Sequence, residues 1–223
     1  MNLKELIRRF RSEAADTVEP FLWPDEAVKD WFNDAQEQAC IRGRLLFEDS
    51  NDAVCRINLV AGEHSYSIHS SLYEVASVYL NSEGQSAPTQ LKIVSRDWLE
   101  AEVNNWRSFS GPARWVVQGE TKLRVVGTFG TGAFLQLEGY RLPMCRLIRE
   151  ERDEPEIHRA SHQHLVYWVL HKAFSQPDSN NFDPNRANTA EAAFTAYFGR
   201  LPDSDLRRDT REDTPHTTML ILP

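Results

Sequence analysis

The stretch DEPEIHRASHQHLVYWVLHKAF, residues 153–174, decides how this chain is read. Leu165, Trp168, Val169 and Ala173 fall at the 3.6-residue spacing of a helix with one buried side. The preceding hundred or so residues alternate with a period of two instead, so the chain leaves a β region here and returns to helix. The same stretch holds four of the seven histidines, His158, His162, His164 and His171, behind the acids Asp153, Glu154 and Glu156. Three readings compete: a metal site, a catalytic base, or the front of a helix. His158 and His162 are i, i+4 and can share a helix face. A zinc site needs three or four converging donors, whereas His164 points elsewhere on the helix and His171 lies more than two turns beyond His162. No HExxH occurs. Acids ahead of a helix favour its positive end. The expectation is a helix start with partly exposed histidines, with no metal and no cofactor.

Working outward toward the N-terminus, Leu3, Leu6, Ile7 and Phe10 predict a short amphipathic helix over residues 3 to about 15. Pro24, Asp25 and Glu26 form a favourable helix opening. Val28, Trp31, Phe32, Ala35 and Ala39 follow as one buried stripe, and Gly43 stands near the helix end. Between residues 54 and 148, seven short strand candidates appear: CRINLV, HSYSIH, EVASVYLN, TQLKIVS, RWVVQG, TKLRVVG and AFLQLEGYRL. AGEHSYSI reads as a strand end, a turn and a new strand. Gln118-Gly119-Glu120 reads as a hairpin turn, and SRDWLEAEVNNW as one helical turn or a loop. Toward the C-terminus, Ala190, Ala193, Phe194, Tyr197 and Phe198 mark a second helix stopped by Gly199.

The order of elements is helices, strands, helices. The fold class expected is α+β: N- and C-terminal helices form a helical bundle, and an antiparallel β-sandwich or barrel is inserted between them. The divisions are 1–50 for the first bundle helices, 51–152 for the β insertion, 153–200 for the last helices and 201–223 for an extended tail. The tail, RLPDSDLRRDTREDTPHTTMLILP from Arg200, is polar except for its apolar run and is expected to order against a partner. Arg207, Arg208, Arg211, Met219, Leu220, Ile221 and Leu222 are the candidate docking residues.

Bulk properties narrow the function. The 223 residues are 41% hydrophobic, enough for a core. The net charge is -8 and the pI about 5.4, so the chain is poorly suited to gripping nucleic acid, an affinity that comes from Lys and Arg meeting phosphates. Cys40, Cys55 and Cys145 are odd in number and form no CxxC, which reads as idle thiols in a reducing compartment. The first residues lack the apolar core of a secretory signal. No run approaches the roughly 18 apolar residues of a membrane-spanning helix. Gly127, Gly130 and Gly132 in VVGTFGTGAF lack the Lys-Ser/Thr ending of a phosphate loop and read as a turn. No GxSxG or paired acid and base stands out, so the chain is not expected to be an enzyme. Lys4, Arg8, Arg9 and Arg11 form a basic patch, read as solvated surface or as a docking site for an acidic partner.

An ordered set of residues carries a resemblance. Trp23-Pro24-Asp25-Glu26 opens a helix bearing Trp31, Asn33, Ala35, Gln36 and Glu37, with Leu45-Leu46 after it. Ala61-Gly62-Glu63 follows with Tyr66 and Ile68, then Trp106, Gly111-Pro112, Leu135, Leu137 and Arg141-Leu142-Pro143. Pro155-Glu156-Ile157, His162 or His164, Leu165, Ala173-Phe174, Asp178 and Phe198-Gly199 complete it. Over about residues 20 to 200 this resembles the head-to-tail adaptor (neck or connector) proteins of tailed bacteriophages. The resemblance implies a non-enzymatic virion protein made in the bacterial host cytoplasm. It implies a homo-oligomeric ring, commonly of twelve copies, beneath the portal protein in the virion neck. Such a ring meets tail or nozzle proteins on its other side and lets DNA pass without specific binding. An acidic wall suits that passage, and a closed ring needs head-to-tail interfaces. The alternatives kept open are another tail or head-completion component, and a small protein-binding module.

Overall fold

The computed structural model describes residues 1–82, 87–144, 151–177 and 181–202. It is a mixed α+β fold, and the described residues hold six α-helices and eight strands. The chain divides into two units. The first comprises Met1–Glu48, Ser71–Glu74 and Gly139–Leu201. The second is built from Asp49–Ser70 and Val75–Glu138.

The first unit gathers helices from both chain ends. α1 (Leu3–Ala14) begins at a capping box, in which the Asn2 side chain accepts from Glu5 N and Glu5 accepts from Asn2 N. α2 (Asp25–Gly43) opens after Pro24 with two acids in its first turn. Before α5 (Leu165–Phe174) the chain makes a 3₁₀ turn over Arg159–His164, and the α-helix begins at Leu165, the first residue of the apolar row, so His158, His162 and His164 precede it. α6 (Pro184–Phe198) is capped by Asp183, whose carboxylate accepts from Asn185 N and Arg186 N, and Gly199 ends it at φ 98°. Leu3, Leu6, Phe10, Val28, Phe32, Leu165, Val169 and Phe194, each with no exposed surface, form one apolar core among these four helices.

The second unit is built on strands. The strand candidates appear as β2 (Arg56–Asn58), β3 (Ser65–Ser67), β4 (Leu72–Asn81), β5 (Thr89–Ile93), β6 (Trp115–Gln118), β7 (Lys122–Val126) and β8 (Phe134–Arg141). A two-residue β1 (Phe47–Glu48) and a four-residue α3 (Asp52–Cys55) lie ahead of them. Strand order is β1-β8-β4-β5-β6-β7-β3, with β2 also on β8. Residues of β4 and β8 are shared between the two units.

The expectation of a wholly antiparallel region needs correcting at one place. β5 and β6 run parallel, with Lys92 opposite Trp115 and Ile93 opposite Val116. Parallel neighbours need a crossover of about a dozen residues or more, usually with a helix. Residues 94–114 supply it through α4 (Arg96–Glu102) and a 3₁₀ turn at Trp106–Ser108, the segment read from sequence as a single turn or a loop. Leu99 and Trp106 of the crossover bury against Val94 and Val126, with Trp98, Val103, Phe109, Trp115 and Val117 around them. The turn at Ala61-Gly62-Glu63 also separates its strands: β2 pairs with β8, and β3 with β7. The Gln118-Gly119-Glu120 hairpin joins antiparallel β6 and β7, with Gly119 N donating to Lys122 O at 2.6 Å.

Candidate functional site

The four clustered histidines serve four different local contacts. His158 caps the 3₁₀ turn, accepting from Ala160 N at 3.2 Å. His162 is buried, and its Nε2 lies 2.9 Å from Ile157 O. Its Nδ1 lies 2.9 Å from the Met1 amino nitrogen and 3.1 Å from Met1 O, so the ring ties the start of α1 to the segment before α5. His164 stacks on Tyr197 with ring centroids 3.6 Å apart and planes 15° from parallel. Burial, and secondarily the Arg9 charge, lower its pKa below the ordinary histidine value. His171 Nδ1 donates to Ala187 O at 3.1 Å and so ties α5 to α6. The imidazoles therefore diverge, and no group of three or more His, Cys, Asp or Glu suited to a metal forms among the described residues.

The acids beside them are also engaged. Glu156 accepts from Arg141 at 2.5 Å and from Met144 N at 2.9 Å. Burial pushes its pKa up, but these hydrogen bonds outweigh burial and hold the carboxyl below its usual range. Arg141 also binds Glu48 at 3.0 Å, so one guanidinium links β8, β1 and the segment before the histidines. Burial pushes the Cys40 thiol up to about 12, the opposite of an activated nucleophile. Cys55 is likewise free and buried, and Cys145 lies outside the described residues. Gly127 and Gly132 take positive φ of 114° and 73° in the loop between β7 and β8. A Cβ at Gly127 would fall 2.6 Å from Ala113 Cα, so this glycine permits two backbones to touch.

The basic patch read at Lys4, Arg8, Arg9 and Arg11 does not form as one surface. Lys4 pairs with Glu151 at 2.8 Å, and Arg9 with Glu13 at 2.8 Å. Arg11 is buried. Its guanidinium pairs with buried Asp16, donates to Trp23 O at 2.7 Å, reaches Asp25 at 2.6 Å and lies 3.9 Å from the Phe21 ring centroid. Asp16 in turn accepts from Leu22 N at 2.9 Å. These bonds anchor both ends of the loop between α1 and α2, which presents Val18 at 77% and Leu22 at 55% exposure. Such apolar exposure on an anchored loop is suited to contact with another protein.

A second surface lies between α5 and α6. An open apolar groove of about 330 Å³ is lined by Tyr167, Leu170 and Phe174 on α5 and by Ala190 and Ala193 on α6, with Asn185, Arg186 and Thr189 at its rim. Arg186 is fixed over the Phe174 ring at 3.8 Å while donating to Glu13 O at 3.2 Å. The one-stripe reading of each helix missed this groove. Its signal in the sequence is a second apolar row on α5 opposite small side chains on α6, which leave space between the helices. The residues expected to dock a partner, Arg207, Arg208, Arg211, Met219, Leu220, Ile221 and Leu222, lie outside the described residues.

No helix among the described residues is long and apolar enough to cross a membrane. Residues 1–218 match the family model described as SU10 adaptor protein. The match extends beyond the 20 to 200 stretch that carries the resemblance, taking in α1 and most of the polar tail. No curated protein matches the chain.

Proposed function

The chain belongs to the SU10 adaptor protein family, phage head-to-tail adaptors that are structural components of the virion, and from that premise we propose that copies of it form a ring beneath the portal protein. The ring joins the head to tail or nozzle proteins and surrounds the channel through which DNA passes. In this reading the helices of 1–50 and 153–200 make a bundle, 51–152 is a β insertion of sandwich or barrel type, and the 201–223 tail docks a partner through Arg207, Arg208, Arg211 and Met219–Leu222. The observation that carries the proposal is the family match over residues 1–218. The net charge of -8 agrees with it, because an acidic wall repels phosphates and lets DNA slide. The anchored Val18–Leu22 loop and the α5–α6 groove offer apolar surface for the contacts that assembly requires.

The test is genetic and structural. A phage in which this gene carries an early stop codon should make DNA-filled heads and free tails that fail to join, and purified protein should restore joining in extracts. Normal tailed particles from the mutant would refute the proposal.

A further inference from the structure

We propose that the outer face of β5, β6 and β7 is the surface that meets the phosphate backbone of double-stranded DNA, through Lys92, Lys122 and Arg124. The inference rests on the reading that copies of the chain surround a DNA channel, and it names the face of the second unit that the DNA passes.

The strand register puts these three cations on one side of the sheet. Lys92 stands opposite Trp115, and Trp115 opposite Val126. Alternate residues of a strand share a face, so Lys122, Arg124 and Val126 lie on the same side as Lys92. The other side is core, with Leu91, Val116, Leu123 and Val125 buried. Across the ladder from Arg124 and Lys122 stand Ser65 and Ser67 of β3, so no acid shares these positions. Arg96 and Arg107 of the crossover both bind Glu100, at 3.4 and 2.6 Å. Lys92, Lys122 and Arg124 form no ion pair among the described residues. Residues 89–126 carry six Lys and Arg against four Asp and Glu, in a chain whose net charge is -8. The excess of acid therefore lies elsewhere on the molecule.

Two of the cations are also held in place. Lys92 Nζ lies 4.8 Å from the Trp98 ring centroid, and the Arg124 guanidinium 5.3 Å from that of Trp106. Such contacts fix a side chain and leave its charge available, so less freedom is lost on binding. Both rings pack into the crossover core, so neither is free for a base to stack on, which favours a duplex over a single strand. Lys122 and Arg124 are two residues apart on β7, about 6.7 Å, close to the separation of neighbouring phosphates along one DNA strand. Lys92 stands two strand spacings away, about 10 Å across the sheet. Among the described residues, none of the exposed large apolar side chains falls between 89 and 126. The core of a protein interface is apolar, whereas a surface that meets DNA is polar and positive. Three phosphate contacts are few, and the acidic remainder of the chain repels DNA, so the contact is weak and independent of sequence, as moving DNA requires.

The experiment uses the full free chain and a short fluorescent DNA duplex, with anisotropy followed through a salt series that starts at low salt. The proposal expects binding at the lowest salt, with log K falling against log salt at a slope of about -2.7, three contacts at roughly -0.9 each. The triple variant Lys92→Gln, Lys122→Gln and Arg124→Gln should bind at least about tenfold more weakly and lose most of that slope. Lys122→Gln alone, at an exposed position, should lower the slope by about one contact and covers the case in which the triple variant folds poorly. A control with the same change of charge, Arg8→Gln, Arg159→Gln and Arg200→Gln, all exposed, should bind as the parent does. Four results would overturn the proposal: no binding at any salt, no loss in the Lys92, Lys122 and Arg124 variant, an equal loss in the control, or polyglutamate bound as tightly as the duplex, which would make the face a dock for acidic protein. No portal is present, so failure here leaves the adaptor reading intact, and failure to assemble on a portal leaves this measurement unchanged.

Discussion

Replacing Asp16 by Ala should unfold the first unit more easily than any nearby surface change. The Arg11 and Asp16 side chains are 6% and 2% exposed, so removing the carboxylate strands a buried cation. Breaking such a pair costs about 3–5 kcal/mol. Partial compensation remains, because Arg11 still reaches Asp25, which is 55% exposed, and the Trp23 carbonyl. Arg11 Nε already lacks a partner among the described residues. Leu22 N also loses its acceptor. We therefore expect about 3 kcal/mol, or roughly 6–12 °C in Tm for a chain of this size. Urea unfolding followed by the helical circular dichroism signal reads it directly. Arg11→Met in the same chain should recover at least about 1 kcal/mol, because the stranded charge is then gone. A loss below about 1 kcal/mol for Asp16→Ala, or simple additivity in the double variant, would refute the reasoning.

Other expectations follow from single contacts. Gly127→Ala combines φ 114° with a Cβ 2.6 Å from Ala113 Cα and 2.8 Å from Pro112 O, so it should cost at least about 2 kcal/mol by chemical denaturation; a neutral result would mean the two backbones can separate. Trp106→Phe removes a buried Nε1–H with no partner among the described residues, a gain that offsets lost packing, and stability should stay within about 1 kcal/mol of the parent. His164 has a lowered pKa in the fold, so the unfolded chain takes up the proton first and the His164 contribution is lost as pH falls below its ordinary value of 6.5. His164→Phe keeps a ring against Tyr197, and its stability should fall less than the parent's between pH 7 and 5; parallel curves would exclude His164 as a source of the slope. The Cys40 thiol, raised to about 12, should resist alkylation at pH 8 in the native protein and react once the chain is unfolded; prompt native labelling would contradict its burial.

Local signals carried much of the fold. The i, i+4 rows at Leu3 to Phe10 and Val28 to Ala39 give α1 and α2, and Gly199 stops α6 where a positive φ is needed. Period-two alternation located all seven strand candidates, since it reflects one buried and one open face. Apart from the β6–β7 hairpin at Gln118-Gly119-Glu120, strand partners were not legible, because pairing depends on contacts far apart in sequence. The crossover at 94–114 is the clearest case: α4 is short, and only the parallel register of Lys92 and Trp115 reveals its role. Charge was misleading at Arg11, whose partners Asp16 and Asp25 are brought in by the turn after α1. The four histidines make separate, divergent contacts. The particular partners, Ile157 O, Tyr197 and Ala187 O, required the packed helices.

The most direct measurement of the central claim is co-assembly. The purified protein is mixed with the portal protein of the same phage, passed over a size-exclusion column and imaged by negative-stain electron microscopy. The account predicts a shifted peak containing portals with one added ring stacked on the tail-facing end. A well-folded protein that elutes apart from the portal under the same conditions, with no added ring in the images, would contradict it.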